Sequence, residues 1–139
     1  MAVDSKAEAV WNGDLMEGSG RVSPASGAFP ELALTWNARA NSREQGSSPE
    51  ELIAAAHAGC FAMALSNGLA KAGHAPREVR TSASVTFQAG QGITAIHLRV
   101  EGDVPGLDEA GFREQAEQAK ANCPVSKALA SVPITLEVL

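Results

Sequence analysis

One long helix constrains the fold of this 139-residue chain more than any other feature. Ser48 is a good helix N-cap, Pro49 suits the first helical position, and Glu51 completes a capping box of the S-x-x-E type. Gly73 is a typical residue for ending a helix. These signals predict a helix from about Pro49 to Ala72.

The side chains on every face of this predicted helix are apolar or small. One set recurs at spacings of three and four and predicts an inward stripe: Leu52, Ala56, Cys60, Met63 and Ala64. The other side is also small: Ala54, Ala55, Ala58, Gly59 and Ala62. We therefore expect the helix to be buried on most sides, either at the centre of the fold or against a second subunit.

Strands are predicted before the helix. Residues Ala7–Trp11 and Leu15–Ser23 form two strands that meet at Asn12-Gly13, a strong hairpin signal. Leu32, Leu34 and Trp36 alternate with small or polar residues and predict a third strand, followed by a loop at 37–48.

The second half of the chain shows clear signals for both strands and helices. A period of two predicts strands at 79–87 and 96–100, joined by a glycine turn at 90–92. Asp108 caps a helix that runs to about Asn122, and Pro124 starts a short helix that ends near Ala130. A last strand covers 134–138. The chain is predicted to be a single α+β domain over 1–139, with Trp11, Trp36, Phe61 and Phe112 in its core.

Composition argues against several classes of partner. The net charge is −5, and the six aromatic residues are four Phe and two Trp. A nucleic-acid surface needs a basic patch and stacking rings, so no nucleic-acid partner is expected. No apolar run approaches the roughly 18 residues of a membrane span, and residues 1–11 do not resemble a signal peptide. We expect a cytoplasmic protein with no membrane partner.

The two cysteines, Cys60 and Cys123, have different predicted environments. Burial in the middle of a helix should raise the pKa of Cys60 and leave it an inert core residue. Cys123 precedes Pro124 and would be the N-cap of the short helix, where backbone amides favour a thiolate; a structural role remains open for it. His57, Cys60 and Cys123 form a weak candidate zinc site, since no fourth ligand is evident.

Two segments resemble the signatures of one family. Residues 48–66 (SPEELIAAAHAGCFAMALS) and residues 121–129 (ANCPVSKAL) resemble the two cysteine motifs of the OsmC/Ohr family of thiol peroxidases, and residues 105–108 (PGLD) also match. Element order and length agree along nearly the whole chain. The PEELI start and the histidine three residues before the cysteine look more like the osmotically inducible branch than the organic-hydroperoxide-resistance branch.

The resemblance implies a fold, an activity and a set of site residues. The fold would be α+β, with a mostly antiparallel sheet, a long buried central helix and an intertwined homodimer. The activity would be reduction of organic hydroperoxides, with Cys60 as the peroxidatic thiol and Cys123 as the resolving thiol. By motif position Glu50 is the catalytic glutamate, and Arg39 is the best match for the catalytic arginine, with Arg43 as its rival.

No cofactor is expected: the resemblance requires no metal, haem or flavin. An external dithiol, of lipoyl type in the family, would reopen the disulfide. Apolar residues near Cys60, among them Leu52, Phe61 and Met63, would favour bulky hydrophobic peroxides. The alternative is a non-enzymatic dimer whose thiols sense oxidation or bind a ligand.

The length of the predicted helix limits how Glu50 could act on Cys60. The capping box accounts for Glu51, which leaves Glu50 to hold an arginine in a bidentate ion pair. Glu50 and Cys60 are ten residues apart, or about 15 Å of helix rise. A glutamate side chain cannot cover that distance, so a long arginine or a second subunit must contribute. The small-residue faces favour a homodimer with active sites at the subunit interface.

Overall fold

The computed structural model describes residues 1–41 and 46–139. Arg43, the rival candidate for the catalytic arginine, lies outside the described residues. The chain divides into two compact units, Met1–Glu50 and Glu51–Leu139. The expectation of one domain over 1–139 stays a prediction.

The first unit contains a three-stranded antiparallel sheet in the order β1 (Ala7–Asn12), β2 (Ser19–Pro24) and β3 (Leu32–Leu34). The predicted hairpin between the first two strands is confirmed, but β2 begins at Ser19 and not at Leu15. Asp14 explains the later start, because its side chain accepts a hydrogen bond of 2.7 Å from the N–H of Glu17. Residues 13–18 thereby form a longer turn.

A short helix, α1 (Trp36–Ala40), follows β3 where a strand end and a loop were predicted. Thr35 is its N-cap, and the threonine hydroxyl accepts a hydrogen bond of 3.0 Å from the N–H of Ala38. Threonine is a favoured N-cap, so the sequence did carry a local signal for this helix. The prediction that Trp11 belongs to the core was wrong, since Trp11 is 40% exposed.

The long helix α2 (Pro49–Lys71) has the predicted start and ends within one residue of the predicted end. Gly73 ends it with a φ of 87°, a left-handed conformation that favours glycine. The N–H groups of Gly73 and His74 bond to the carbonyls of Ala70 and Leu69 at 3.0 and 2.8 Å. These two bonds form a Schellman motif.

The buried face of α2 differs from the predicted stripe. Four residues spaced four apart are fully buried: His57, Phe61, Leu65 and Leu69. The predicted stripe was wrong by about one residue, because Met63 is 76% exposed and Cys60 is only partly buried. Burial on most sides is not found in the single chain. Alanine and glycine occur on all faces of α2, and because they fit a buried or an exposed side equally well, the sequence does not indicate which face packs against the core.

Helix α2 is also more apolar over its length than was predicted. Among the described residues it is the one helix with the length and composition to cross a membrane, and 22% of its most apolar window is buried inside the chain. The expectation that no stretch passes this test was therefore wrong. The core helices of soluble proteins pass the same test.

The second unit contains a mixed sheet in the order β4 (Glu78–Gln88), β5 (Gly92–Asp103) and β6 (Ile134–Val138). Strands β4 and β5 form the predicted antiparallel hairpin, and β6 pairs with β5 in parallel. The core of this unit is built from α2, β5 and the helices that follow: Phe61, Leu65, Leu69, Ile96, Leu98, Val100, Phe112, Ala116, Ala119 and Cys123.

Helices α3 (Glu109–Asn122) and α4 (Pro124–Ala128) lie between β5 and β6 in the chain. Asp108 caps α3 as predicted, since its carboxylate accepts a bond of 2.8 Å from the N–H of Gly111. Pro124 begins α4, which ends at Ala128, two residues before the predicted end. Cys123 is at once the C-cap of α3 and the N-cap of α4.

Candidate active site

The two cysteines meet inside the second unit. Cys60 lies in the middle of α2 and is partly exposed, whereas Cys123 lies between α3 and α4 and is fully buried. Both thiols are free, and each lies close enough to the other to shift its pKa. Residues 63 positions apart in sequence are thus brought close together by the packing of α2 against the helical segment that follows β5.

The surroundings act on the two thiols in opposite directions. Burial raises the pKa of Cys60, and the neighbouring Cys123 raises it further because its sulfur favours the protonated form of Cys60. Burial also acts to raise the pKa of Cys123. The Cys60 thiol, the N–H and hydroxyl of Ser126 and the N–H of Val125 outweigh burial, so the pKa of Cys123 is lowered. When one thiol of the pair loses its proton, these contacts favour the charge on Cys123.

The N-terminus of α4 supplies much of this stabilisation. Cys123 makes no regular capping hydrogen bond through its side chain. The N–H groups of Val125 and Ser126 are nevertheless close enough to favour a charged sulfur, and the N–H of Val125 also favours charge on Cys60. The prediction that this N-cap position favours a thiolate agrees with the lowered pKa of Cys123.

A buried histidine extends the group of polar side chains. His57 Nε2 lies 2.8 Å from Ser126 Oγ, with His57 fully buried and Ser126 6% exposed. His57 Nδ1 is buried and has no hydrogen-bond partner among the described residues. Burial lowers the pKa of His57. The sequence analysis missed this contact, which joins positions 69 apart in the chain and has no local signal.

The first unit contains a second candidate group, the ion pair of Arg39 and Glu50. Arg39 lies in the last turn of α1, and Glu50, in the first turn of α2, is 1% exposed. Arg39 Nε lies 3.1 and 3.2 Å from the two carboxylate oxygens, and Nη2 lies 2.8 Å from Oε1. Two guanidinium nitrogens therefore hold one carboxylate, which fixes the orientation of both groups. The expected pairing is present; the catalytic roles of both residues stay predictions.

A groove of about 820 Å³ opens beside Cys60. Its walls come from α2, α3 and the start of α4, and most of its lining is apolar: Ala55, Ala56, Gly59, Met63, Ala64, Ala119 and Pro124, with Asn67, Lys71, Gln115 and Gln118 as polar members. Phe61, which was expected to line a substrate wall, is fully buried in the core instead. The groove gives a small molecule access to the Cys60 sulfur.

The candidate zinc site is not supported by the geometry around His57. In residues 1–41 and 46–139, no group of three or more His, Cys, Asp or Glu side chains could hold a metal ion. His57 Nε2 is instead hydrogen-bonded to Ser126.

Comparison with known proteins identifies relatives along nearly the full chain. The sequence pattern of the family described as "OsmC-like protein" matches residues 41–137. The peroxiredoxin OsmC of Escherichia coli (strain K12) is 44% identical over 140 residues, which cover 99% of this chain and 96% of that protein. The organic hydroperoxide resistance protein OhrA of Bacillus subtilis (strain 168) is 31% identical over 113 residues, 78% of each chain.

Solved structures agree on the fold. An OsmC-like protein from Mycoplasma pneumoniae superposes with a TM-score of 0.72 at 20% identity, covering 100% of this chain and 98% of that one. At this level of identity the match concerns the fold alone. The higher identity to the OsmC relative than to the OhrA relative agrees with the predicted branch.

The lowered pKa of His57 predicts how stability depends on pH. Below its ordinary value of 6.5, the unfolded chain binds a proton that the folded chain does not. The free energy of unfolding should therefore fall as the pH drops from about 6.5 towards 5.5, by up to about 1.4 kcal/mol per pH unit. Urea unfolding of wild type and His57→Gln at several pH values measures the slope. Identical slopes in the two proteins would contradict the assignment.

Proposed function

This chain belongs to the OsmC-like protein family, and we propose that it is a thiol peroxidase that reduces organic hydroperoxides to alcohols with Cys60 and Cys123. The observation that carries the proposal is the close approach of these two free thiols beside an open groove. Two relatives are named a peroxiredoxin and an organic hydroperoxide resistance protein, which supports a peroxidase that acts on hydroperoxides.

The proposed cycle has three steps. The Cys60 thiolate attacks the terminal oxygen of the hydroperoxide, which releases an alcohol and leaves a sulfenic acid on Cys60. Cys123 condenses with the sulfenic acid to form a disulfide and release water, which protects Cys60 from overoxidation. An external dithiol, proposed to be of lipoyl type, then reopens the disulfide by exchange. The cycle needs no metal, haem or flavin.

The proposed peroxidatic role of Cys60 requires a positive charge. Burial raises the pKa of Cys60, and a guanidinium near the sulfur would favour its thiolate. We assign this role to Arg39, held in orientation by the buried carboxylate of Glu50. The same guanidinium would stabilise the negative charge that develops on the leaving alkoxide.

A homodimer is part of the proposal. Helix α2 is continuous between Glu50 and Cys60, and about 15 Å of helix rise separates them. The face of α2 beside Cys60 is apolar and exposed in the single chain, with Met63 at 76%. A second copy that covers this face would complete the burial expected for α2 and would allow Arg39 of one subunit to serve Cys60 of the other.

The apolar groove beside Cys60 favours bulky hydrophobic substrates. The second copy in the proposed dimer would close the groove along its Met63 side, and the alanine side chains that remain beside Cys60 would bind the organic part of a hydroperoxide by burial of apolar surface. Hydrogen peroxide has no such part and would gain nothing from these walls. A cytoplasmic location agrees with the use of free thiols and a dithiol reductant.

Cysteine substitutions test the peroxidase cycle. Wild type treated with one equivalent of cumene hydroperoxide should lose about two mass units through a Cys60–Cys123 link. Cys60→Ser should consume no hydroperoxide, whereas Cys123→Ser should consume one equivalent and retain a sulfenic acid. Mass spectrometry and peroxide assays with dihydrolipoamide measure these outcomes. If wild type consumes no hydroperoxide, the non-enzymatic sensor or ligand-binding alternative replaces the proposal.

Arginine substitutions test the proposed cation. Arg39→Lys keeps the positive charge but loses the bidentate ion pair with Glu50, so kcat/KM for cumene hydroperoxide should fall about a hundredfold. Arg21→Lys is the matched control, because Arg21 forms a solvent-exposed ion pair of 3.4 Å with Glu31. Arg43→Lys should have little effect. A loss that follows Arg43 and spares Arg39 would reverse the assignment.

Sedimentation equilibrium tests the dimer. Wild type should sediment at twice the chain mass of 14.3 kDa. Gly59→Glu should dissociate the dimer, because it adds a charge to the proposed interface while nothing in the chain lies within 4 Å of the new Cβ. Ala110→Glu, at an exposed position of α3, should leave the dimer intact. A fully active monomeric wild type would contradict this part of the proposal.

A further inference from the structure

The cycle proposed above leaves His57 and Ser126 without a role, although both are buried and Ser126 lies beside Cys123. His57 is fully buried and Ser126 is 6% exposed, and their side chains are joined by a contact of 2.8 Å. Burying a titratable ring with one nitrogen unpartnered is unfavourable. An arrangement of this kind beside two reactive thiols calls for a function.

The polar groups form a continuous chain that ends at Cys123. Ser126 is the third residue of α4, and Cys123 is its N-cap, a spacing that places the two side chains next to each other. The serine hydroxyl acts on the Cys123 sulfur in the direction that favours a thiolate. On its other side the hydroxyl oxygen contacts His57 Nε2.

The direction of the hydrogen bonds follows from the unpartnered nitrogen. A neutral histidine carries one proton, and a buried N–H without an acceptor is rarer than a buried lone pair without a donor. Since Nδ1 has no partner in the described part of the chain, the proton belongs on Nε2. His57 therefore donates to Ser126 Oγ, which leaves the serine O–H free to donate to the sulfur.

We propose that Ser126 is a catalytic residue of the resolving step, where its hydroxyl stabilises the Cys123 thiolate, and that His57 is a positioning residue that holds this hydroxyl in place. The inference rests on the peroxidase function proposed above. It adds that Cys123 must carry the proton in the first step of the cycle and must be ionised in the second.

In the first step the single proton of the pair must lie on Cys123, so that Cys60 is the thiolate. The Cys60 sulfur bonds to the terminal oxygen of the hydroperoxide as the O–O bond breaks, and the leaving alkoxide takes the Cys123 proton to become the alcohol. Cys60 is now a sulfenic acid and Cys123 a thiolate. The Ser126 hydroxyl opposes the start of this step, because it favours charge on Cys123.

In the second step the same hydroxyl assists. The Cys123 thiolate attacks the Cys60 sulfur, the S–S bond forms, and hydroxide leaves and takes one proton from solvent to become water. The serine hydrogen bond raises the fraction of Cys123 that is ionised and ready to attack. The structure thus favours rapid disulfide formation over the fastest possible attack on peroxide.

Single-turnover kinetics on Ser126→Ala test the inference. With one equivalent of cumene hydroperoxide, the variant should form sulfenic acid at least as fast as wild type, but form the disulfide about tenfold more slowly. Sulfenic acid should accumulate, be trapped by dimedone, and overoxidise more readily. Ser126→Thr, which keeps the hydroxyl, should recover most of the disulfide rate, and His57→Phe should slow the same step.

Ser131 offers a matched control for Ser126, because it is also a serine close to α4 but lies at the surface. Ser131→Ala removes an exposed hydroxyl just beyond α4 and should leave both steps unchanged. If Ser126→Ala slows both steps equally, Ser126 has only a structural role. If the variant forms the disulfide at the wild-type rate, the inference is wrong.

A second measurement does not depend on peroxidase activity. In a Cys60→Ser background Cys123 is the remaining thiol, and its ionisation can be followed by thiolate absorbance near 240 nm across pH. Adding Ser126→Ala should lower the acid dissociation constant of Cys123 about tenfold. Besides Cys60, His57 is a titratable group connected to this sulfur, so the same titration is run with His57→Phe. An unchanged titration would overturn the inference, whereas a wild type that consumes no hydroperoxide would overturn the peroxidase proposal alone.

Discussion

The close approach of Cys60 and Cys123 is the arrangement on which the proposed chemistry of this protein depends. It exists because α2 buries Phe61, Leu65 and Leu69 in the same core that receives α3. That packing brings the junction of α3 and α4 against the middle of α2. A loss of core packing would therefore separate the thiols as well as destabilise the second unit.

In the proposed cycle, burial of the two thiols has two opposite consequences. An apolar groove would suit an organic hydroperoxide, yet low polarity opposes formation of the thiolate that would attack it. The second unit supplies hydrogen bonds that favour charge on Cys123. The proposed cycle needs a cation to bring the charge to Cys60, and Arg39, paired at 2.8 Å with the carboxylate of Glu50, is the proposed source. The proposed homodimer follows from that need.

Local patterns predicted most elements because their signals lie within a few residues. The cap at Asp108, the stop at Gly73 and the alternation of β4 and β5 each involve near neighbours. Helix α1 was missed because alternation up to Trp36 indicated a strand, while Thr35 was a competing cap signal. The stripe of α2 was wrong because alanine and glycine fit either side of a helix.

The sequence by itself determined the order of the elements other than α1, the family resemblance and the two cysteines as the reactive candidates, because caps, turns and motifs are written in consecutive residues. Only the tertiary structure decided which face of α2 is buried, that the two thiols lie close together, and that His57 and Ser126 are joined by a contact. The thiol pair and the His57–Ser126 pair each link residues more than sixty positions apart. Distant contacts depend on how whole elements pack, and no local pattern encodes that packing.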